Sequence, residues 1–297
     1  MIKKGSSMKK FFIDSLYSSD RSVAVREFKT LPNELIHKEV EMTPEMGICA
    51  ILDTETTGLD FEKDEIIEIA IRQWVYHKKE HYLIKPLSQY SSLHEPVRNE
   101  ISELITDLTG ITKEDVAGQK IDWELVNKIL GGSDFIMAHN AGFDRPMIEA
   151  VPELKEMSAS KIWTCSFKQV DWDAQGFLSA KQELLCLFHG FHYSGHRALT
   201  DIDALGNLLM KGDYLKEILT GAKTKQVQVN AVKAPFDAKD NLKGNGFFWN
   251  APAKYWSKII PETEKEEMKV YLADEIYPSG KMNAQFKVIE LRDRFKS

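Results

Sequence analysis

No stretch of the sequence is apolar for long enough to cross a membrane as a helix. The longest apolar stretch, residues 46–52, falls far short of the about 20 residues that a spanning helix requires. Residues 1–7, with the sequence MIKKGSS, contain no continuous hydrophobic segment like that of a signal peptide. We therefore expect a protein that makes no membrane contact and carries no export signal.

Cysteine is scarce as well, with three residues in the chain: Cys49, Cys165 and Cys186. They form no CxxC pair, and an odd number of cysteines without a signal peptide favours a reducing compartment. We expect a cytoplasmic protein. Cys49 and Cys186 lie among apolar residues, so we expect them to be small core residues.

Positive charge is also in deficit, because the formal net charge is −6 at pH 7. The deficit lies in the first 218 residues, since residues 219–297 carry 14 Lys and Arg against 10 Asp and Glu. Electrostatic attraction to a polyanion such as a nucleic acid would therefore come mainly from the C-terminal part. An acidic N-terminal part is compatible with such a partner if bound metal ions neutralise its carboxylates.

What the chain does contain is apolar material for one sizeable core and a second, smaller unit, since 43% of its 297 residues are hydrophobic. Changes in composition divide it into four parts: a polar extension (1–45), a region of alternating strand and helix patterns (46–218), a linker or short edge strand (219–230) and an aromatic, basic module (231–297). In the extension we expect loose packing and one short helix around residues 22–30.

The region 46–218 alternates between the two periodicities of regular structure. Strands are predicted at residues 47–53, 65–76, 80–85, 134–138 and 161–164. Helices are predicted at residues 98–107, 112–117, 121–131, 142–150, 164–171 and 178–188, followed by one whose buried face starts at Asp201. Because the first three strands form a meander, we expect a mixed sheet in an α/β layered fold.

Two carboxylates follow the first of these strands, at Asp53 and Glu55. Side chains alternate along a strand, so both carboxylates point the same way. They repel each other unless a cation lies between them, and hard divalent ions take oxygen ligands of this kind. Thr56, Thr57 and Gly58 then turn the chain tightly, which lets the backbone approach a ligand closely.

Two further segments complete a constellation. Residues 139–144 (HNAGFD) follow the strand at 134–138, and residues 196–204 (HRALTDIDA) come third. In this order the segments resemble the three exonuclease motifs of the DnaQ-like 3′–5′ exonucleases of the DEDDh subgroup. The resemblance covers residues 46–212 and includes the stretch 108–112 (LTGIT) between the motifs.

The resemblance implies a ribonuclease H-like fold, a mixed sheet flanked by helices. It also implies a two-metal-ion mechanism with Mg²⁺ or Mn²⁺. Asp53 would bridge both ions, Glu55 and Asp201 would bind the ion that activates water, and Asp144 would hold the other. His196 would be the general base, a role that suits an imidazole because its unperturbed pKa is near neutral.

The same resemblance implies substrate contacts. Backbone around Thr56, Thr57 and Gly58 would contact the terminal nucleotide, and Glu55 would reach its 3′ hydroxyl. Asn140, with His139, would help to position Asp144 or contact the substrate. Such contacts require a free end, so the partner is expected to be a nucleic acid with a free 3′ end, DNA in preference to RNA.

Each residue also has a purely structural interpretation. Asp144 and His196, taken singly, fit a helix N-terminus and a surface histidine. Asp203, two residues past Asp201, is expected to face solvent. Arg145 and Arg197 fit phosphate contacts and helix-end salt bridges about equally well.

The C-terminal module, predicted to be a small α+β unit, is rich in aromatic residues: Phe236, Phe247, Phe248, Trp249, Tyr255 and Trp256. Its pattern Leu242-Lys243-x-x-Gly246-Phe247-x-Trp249-Asn250 resembles a module attached to some bacterial and phage DnaQ-like exonucleases. Two interpretations stay open: a small hydrophobic core, and a stacking platform with lysines along a phosphate backbone.

Three functions are compatible with the sequence. The first is a 3′–5′ exonuclease that releases 5′-mononucleotides from single-stranded DNA, acting in repair, proofreading or end trimming. The second keeps the chemistry but acts on RNA ends, since nothing in the sequence reads a 2′ hydroxyl. The third is a non-catalytic binding or scaffold protein. No clamp-binding peptide supports association with a polymerase, and a homodimer remains open.

Overall fold

A computed structural model describes residues 25–31, 40–278 and 280–296 of the chain. The strands are, in chain order, β1 (Arg26–Glu27), β2 (Met46–Thr56), β3 (Ile66–His77), β4 (Leu83–Leu93), β5 (Phe135–Ala138), β6 (Ile162–Cys165), β7 (Phe191–His192), β8 (Gln226–Ala231), β9 (Phe248–Asn250), β10 (Tyr255–Pro261) and β11 (Gln285–Ile289). The helices are α1 (Glu103–Thr109), α2 (Lys113–Val116), α3 (Trp123–Gly131), α4 (Ala141–Ala150), α5 (Pro152–Ser160), α6 (Ser166–Gln169), α7 (Gln182–Phe188), α8 (Ala198–Leu209), α9 (Tyr214–Lys223), α10 (Lys239–Gly244) and α11 (Lys265–Tyr271). Within the described ranges, no helix combines the length and apolar character that crossing a bilayer demands.

The chain divides into two compact units, with the boundary between Ala222 and Lys223. The larger unit is built on a five-stranded sheet with the order β4-β3-β2-β5-β6. β2 pairs antiparallel with β3 and parallel with β5, β3 pairs antiparallel with β4, and β5 pairs parallel with β6. The prediction of a mixed sheet in an α/β fold is confirmed.

Helices cover both faces of this sheet. Successive residues of β2 point to opposite sides, so alternate residues of this strand belong to different buried clusters. Cys49 and Ile51 belong to one buried cluster, together with apolar residues of α7, α8 and α9. Ala50 and Leu52 belong to the other, together with residues of α3, α4 and α5. The three cysteines of the chain are buried and unpaired, so the core role predicted for Cys49 and Cys186 is confirmed.

Local signals account for where several helices begin and end. α1 begins after Ser102, whose hydroxyl accepts a hydrogen bond from the backbone of the first turn, and it ends at Gly110 with φ +70°. Thr112 forms a capping box at the start of α2, and Asp122 caps α3. α1 therefore starts five residues later than the predicted 98–107.

Two elements differ more from prediction. The helix predicted at 142–150 does end before Pro152, as expected, but Pro152 then occupies the first turn of a further helix, α5, which was not predicted and in which its missing N–H costs nothing. The helix predicted at 178–188 begins only at Gln182. In the segment before it, the hydroxyl of Ser179 accepts from the backbone N–H of Lys181, and the carbonyl of Ala180 accepts from the ring of His139 instead of forming a helical hydrogen bond.

The third strand runs over Leu83–Leu93, well beyond the predicted 80–85. The continuation is polar and contains Pro86, a residue that disfavours a strand at the level of sequence. β4 lies at the edge of the sheet. The pairing of β3 with β4 shifts register just before Trp74, the residue that lies opposite Pro86. An edge position with a bulge is where a strand tolerates proline.

Residues 22–24 of the helix predicted at 22–30 lie outside the described residues, and residues 25–30 contain the short strand β1 in place of a helix. β1 pairs in parallel with β7, and Leu31 is buried in a hydrophobic cluster of the larger unit. The backbone N–H of Leu31 donates to Oδ2 of Asp203 at 2.9 Å. The extension is anchored at these points, so the prediction of loose packing is wrong there.

Asp203 is buried, so the prediction that it faces solvent is wrong. Its side chain is fully enclosed and pairs with Arg72 of β3, which is equally buried. Nothing in the local pattern around Asp203 indicates this partner, because Arg72 lies 131 positions away.

The smaller unit, residues 223–294, has a four-stranded antiparallel sheet with the order β11-β8-β10-β9 and is packed with α10 and α11, an α+β arrangement as predicted. The segment 219–230, predicted to be a linker or edge strand, instead contains the end of α9 and the strand β8. β8 is paired on both sides, with β10 and β11. Val227 and Val229 of this segment are buried in the core of the unit, so its strand is central to the unit.

Candidate active site

Asp53 and Glu55 lie near the carboxyl end of β2, two residues apart on the strand. Oxygen atoms of Asp53, Glu55 and Asp201 all lie within 4.8 Å of one another. The pairing of β2 with β3 shifts register between Glu55 and Thr56, so the regular ladder breaks immediately after the two carboxylates. The sequence-predicted pair is therefore joined by a third carboxylate from a distant segment.

Asp144 lies in the first turn of α4, directly after β5. Because β5 runs parallel to β2, the carboxyl ends of both strands meet at one edge of the sheet. The buried Asp144 accepts two hydrogen bonds at Oδ1, from the backbone N–H of Thr54 at 3.1 Å and from its hydroxyl at 3.0 Å. Thr54, the residue between Asp53 and Glu55, thus fixes Asp144 against β2.

Asp201 lies in the first turn of α8, and both of its carboxylate oxygens are hydrogen-bonded. The hydroxyl of Tyr193 donates to Oδ1 at 2.9 Å, and the backbone N–H of Arg197 donates to Oδ2 at 3.0 Å. The side-chain amide of Gln182 donates to the Tyr193 hydroxyl at 2.8 Å and to the Asp201 carbonyl at 2.9 Å. These bonds fix the orientation of the carboxylate.

His196 lies in the loop before α8, as predicted, and its backbone has φ +64°, a strained conformation for a residue with a side chain. The side chain is 47% exposed, and its Nε2 is 3.6 Å from Oε1 of Glu183. Asp53, Glu55, Asp144, His196 and Asp201 all line one cavity of about 440 Å³. The structure thus brings together the five residues that the three motifs singled out.

The carboxylates in this cavity are held in surroundings that disfavour their charged form. Burial, with Asp144, Asp201 and other carboxylates nearby, raises the pKa of Asp53 well above its usual range. Burial, followed by the charge of Asp201, raises the pKa of Glu55 to about 8. Burial also raises the pKa values of Asp144 and Asp201, and hydrogen bonds from Thr54 and Tyr193 oppose this only in part.

Such a cluster fits a divalent cation. Its donors are carboxylate oxygens close enough to share one ion, and a bound cation offsets both the burial that chiefly raises their pKa values and the mutual repulsion that adds to it. Carboxylates are the preferred ligands of hard ions such as Mg²⁺ and Mn²⁺. Asp53, Glu55 and Asp201 can therefore hold a metal ion, with Asp144 beside them.

The predicted substrate-binding residues divide into two groups. Asn140 lines the cavity at the start of α4. Thr56, Thr57 and Gly58 are outside its lining and form a turn: the Thr56 hydroxyl donates to the Gly58 carbonyl at 2.5 Å. A β-carbon at Gly58 would clash with the carboxylate of Asp64, so this position favours glycine.

His139 also lines the cavity, and its ring contacts other partners than Asp144, which it was expected to position. Nε2 is 2.9 Å from the carbonyl of Ala180 and Nδ1 is 2.8 Å from the hydroxyl of Ser166. A carbonyl only accepts, so Nε2 carries the proton and Nδ1 accepts from Ser166. Burial lowers the pKa of His139 to about 4, so the ring is neutral at physiological pH.

Both arginines of the motifs form salt bridges. Arg197 donates two bonds to the buried Glu68, through Nη2 at 3.0 Å and Nε at 3.2 Å, and Arg145 pairs with Glu149 at 2.7 Å. Glu68 also accepts from the backbone N–H of Ala198 at 3.0 Å, and it lies directly opposite Glu55 in the sheet. Glu68 thus ties the start of α8 to β3.

Sequence reasoning missed Gln182, Glu183, Tyr193 and Glu68. Tyr193 lies only three residues before His196, but nothing in the local pattern distinguishes it from a core aromatic residue. Its role follows from a hydrogen bond that forms only when the turn before α8 folds back. Glu68 is hidden within the apolar strand β3, where a buried carboxylate has no local signature.

The mixed sheet and the acidic cavity at its edge define a protein of the ribonuclease H-like class with a cavity suited to a divalent cation. The family model of the RNase_T type, described as "Exonuclease", matches residues 50–209, more than half of the chain. The chain belongs to this exonuclease family, and the assignment to the DnaQ-like, DEDDh-type exonucleases is confirmed.

Among curated relatives, the chain is 32% identical over 134 residues to "DNA polymerase III PolC-type" of Thermotoga petrophila. That match covers 43% of this chain and 8% of the relative. A protein of the same description from Streptococcus mutans is 30% identical over 112 residues, which cover 37% of this chain and 7% of the relative. The chain therefore matches only a small part of the length of these relatives.

Solved structures of exonucleases are also similar. "Exonuclease X in complex with 5' overhanging duplex DNA" is 28% identical with a TM-score of 0.42, covering 57% of this chain and 91% of that chain. The nuclease domain of 3'hExo bound to rAMP is 18% identical with a TM-score of 0.45, covering 57% of this chain and 93% of that chain.

Proposed function

We propose that this chain is a metal-dependent 3′–5′ exonuclease that releases 5′-mononucleotides from single-stranded DNA ends. The observation that carries the proposal is the cluster of Asp53, Glu55 and Asp201, whose oxygens lie within 4.8 Å of one another in the cavity that Asp144 and His196 also line. Membership of the exonuclease family supports a phosphodiester as the bond that is hydrolysed.

Asp53, Glu55 and Asp201 would hold one divalent ion, and Asp53 with Asp144 would hold a second. When bound, two such ions supply charge stabilisation to the phosphoryl oxygens and a lowered pKa to the attacking water. The contribution of the chain is to fix the ligands: Thr54 orients Asp144, and Tyr193 with Arg197 orients Asp201.

His196 is the proposed general base. Its half-exposed ring lines the same cavity as the carboxylates, so it can reach the attacking water and take its proton at a ring nitrogen. The carboxylate of Glu183, 3.6 Å from Nε2, stabilises the imidazolium that results. The loop position of His196 allows the ring to approach when a substrate fills the cavity.

The 3′ end of the substrate would be recognised by groups next to Glu55. We propose that Glu55 accepts a hydrogen bond from the 3′ hydroxyl and that backbone of the turn at Thr56, Thr57 and Gly58 contacts the terminal nucleotide. Asn140 and Lys181 line the cavity and offer an amide and a positive charge to the scissile phosphate. Because this hydrogen bond to Glu55 requires a free 3′ hydroxyl, the enzyme would act at a free 3′ end.

DNA is the proposed substrate because the curated relatives that share this region are described as DNA polymerases. The test is digestion of a 5′-labelled single-stranded DNA oligonucleotide with Mg²⁺ and with EDTA, beside a matched RNA. We expect a ladder that shortens from the 3′ end only with the metal. An RNA rate higher by about a hundredfold would make the chain an exoribonuclease.

Two variants make this assay decisive. Asp53→Asn removes a proposed bridging ligand at nearly unchanged volume, and Asp107→Asn makes the same change at an exposed position of α1. We expect the first to abolish the ladder and the second to leave it unchanged. If Asp53→Asn digests DNA like the unaltered chain, the digestion does not depend on the proposed site and the proposal is wrong; if neither protein digests DNA or RNA, a binding or scaffold role becomes the better explanation.

A further inference from the structure

One segment of the smaller unit combines exposed aromatic rings with uncompensated positive charge. Residues 241–260 contain five aromatic residues and three lysines but no aspartate or glutamate. We use the term aromatic edge for Phe248 and Trp249 of β9 together with Lys243, Lys254 and Lys258 of this segment. The chain as a whole is acidic, so this local composition is a departure from its surroundings.

The core of the smaller unit does not use the two rings of β9. Its buried apolar residues are Val227, Val229, Ala231, Leu242, Phe247, Ile260, Leu272, Ile276 and Tyr277. Phe248 is 54% exposed and Trp249 is 50% exposed. The interpretation of the aromatics as a small core therefore holds for Phe247, whereas Phe248 and Trp249 remain available on the surface.

The position of β9 keeps this surface open. Within the described part of the chain, β9 is an edge strand of its sheet and pairs with β10 alone. Trp249 lies opposite Trp256, and their rings meet edge to face with centroids 5.6 Å apart. This contact holds the Trp249 ring in place while about half of the residue stays accessible, so little rotational freedom is lost when a planar partner stacks on it.

The lysines lie close by in the sequence and are not neutralised. Lys258 donates to the carbonyl of Asn245 at 2.9 Å, which fixes its ammonium group beside the loop that leads into β9. Among the residues that the structure describes, Lys243, Lys254 and Lys258 form no ion pair, whereas Lys225 and Lys269 of the same unit do. The aromatic edge is thus positive as well as aromatic.

A ligand that matches both properties is a flexible polyanion with planar rings. We propose that the aromatic edge binds single-stranded nucleic acid, with a base stacked on Trp249 and phosphates near the three lysines. The side chain of Phe248 leaves β9 on the opposite side from Trp249, so it contacts the nucleic acid only where the bound strand passes round the edge of the sheet. The purpose of such a contact rests on the proposed nuclease function, since it would retain a strand whose end is being digested. Its chemistry can be tested separately from catalysis.

The experiment uses the full chain in EDTA, so that cleavage does not occur. Binding of labelled oligothymidylate and oligouridylate of about 20 nucleotides is followed by anisotropy and by quenching of tryptophan fluorescence. The variants are Trp249→Ala, Trp249→Phe and Lys243→Ala. The matched control is Lys287→Ala with Val288→Ala, a lysine and an exposed apolar residue on β11 at the opposite edge of the same sheet.

We expect Trp249→Ala to weaken binding at least about fivefold, because a stacked base is lost, and Trp249→Phe to retain most of the affinity but lose quenching. Lys243→Ala should lower the dependence of binding on salt by about one ion. The control should stay within about twofold of the unaltered chain. If Trp249→Ala loses affinity equally for oligothymidylate and oligouridylate, the surface recognises bases and phosphates in general. If it loses more affinity for one of them, that polymer is the preferred ligand.

Unchanged affinity in Trp249→Ala, or an equal loss in the β11 control, would overturn the proposal, as would the absence of binding by the unaltered chain. If Trp249→Ala does not fold, the proposal is tested by two other measurements: the loss of fluorescence quenching in Trp249→Phe and the lower salt dependence of binding in Lys243→Ala. Digestion of a trinucleotide with Mg²⁺ should be unaffected by Trp249→Ala. Binding without any digestion would refute the nuclease function and leave this surface standing.

Discussion

Tyr193 donates a hydrogen bond to Asp201, with 2.9 Å between the tyrosine hydroxyl and Oδ1. Gln182 donates in turn to the same hydroxyl, so the tyrosine proton has one direction left, toward the carboxylate. Asp201 is one of the three acids that can share an ion. The pair therefore connects a residue with no catalytic signature to the orientation of a proposed metal ligand.

Replacing Tyr193 by phenylalanine should weaken metal binding without unfolding the chain. The variant keeps the ring and loses the proton that orients Asp201, and loss of such an outer contact commonly costs about tenfold or more in affinity. Titration with Mn²⁺ followed by calorimetry measures this. Tyr271→Phe removes a hydroxyl that bonds to Asn241 in the smaller unit and is the matched control. Equal affinities in all three proteins would contradict the role of Tyr193.

Thr54 should matter through its hydroxyl. Thr54→Val keeps the shape of the residue but removes the 3.0 Å bond to Oδ1 of Asp144, leaving only the backbone donor. We expect turnover to fall by about tenfold, because Asp144 then loses part of its fixed orientation. Thr54→Ser retains the hydroxyl and should stay close to the unaltered rate. A loss in the serine variant as large as in the valine variant would show that packing, not the hydrogen bond, is responsible.

The raised carboxylate pKa values make the stability of the metal-free protein depend on pH. Folding raises the pKa of Glu55 to about 8, and it raises those of Asp53, Asp144 and Asp201 as well. Between about pH 4, where these groups titrate when unfolded, and about pH 8, the folded chain holds more protons than the unfolded chain. Stability from these groups is therefore complete at the acidic end and is lost as the pH rises through this window.

Added Mg²⁺ should offset this loss because it takes the place of the protons. We expect the melting temperature to rise more with Mg²⁺ at about pH 8.5 than at about pH 6, since metal binding must displace fewer protons there. Thermal melts with EDTA and with Mg²⁺ at both pH values provide the measurement. Asp53→Asn should reduce the difference between the two pH values. A larger effect of Mg²⁺ at the acidic pH would contradict competition between the metal and the protons of these carboxylates.

The parts of the site that follow one another along the chain were predictable, and those that depend on distant partners were not. Asp53, Glu55, Asp144, His196 and Asp201 each stand at a strand or helix end, where local pattern locates them. Glu68 and Asp203 lie inside regular elements, and their partners are 129 and 131 positions away. A buried ion pair has no periodicity of its own, so only the folded chain reveals it.

The same distinction applies to the fold. Most strands and helices of the larger unit lie near their predicted positions because alternation and capping residues are local. β8 resembles a linker in the sequence because its alternation of Gln and Val is short, and its centrality depends on pairing with β10 and β11, about 30 and 60 residues further on. β1 is shorter still, and only its pairing with β7 defines it.

Breaking the pair of Arg72 and Asp203 on one side should be strongly destabilising. Both side chains are fully buried, and Asp203 also accepts from the backbone of Leu31, which anchors the N-terminal segment. Asp203→Ala should lower the free energy of unfolding by about 3–5 kcal/mol, because the arginine charge is left buried and unpaired. Urea denaturation measures this, with Asp107→Ala as an exposed control.

The double variant Arg72→Met with Asp203→Leu provides the second arm of that test. It removes both charges and fills the space with apolar groups, so we expect it to be more stable than Asp203→Ala alone. Both variants lack the carboxylate that accepts from Leu31, so if the double variant were the less stable of the two, poor packing of the new side chains would outweigh the cost of the unpaired charge of Arg72.

His196 should separate proton transfer from metal binding. The ring lies in the cavity beside the three clustered acids but is not part of the group whose oxygens lie within 4.8 Å of one another. His196→Ala should therefore lower turnover by about 10²–10⁴-fold, the range typical of a lost general base, and leave the affinity for Mn²⁺ nearly unchanged. Single-turnover digestion and Mn²⁺ titration of the same preparation measure the two quantities. His192→Ala, at an exposed position of β7, is the matched control. A parallel loss of metal affinity in His196→Ala would make His196 a ligand rather than a base.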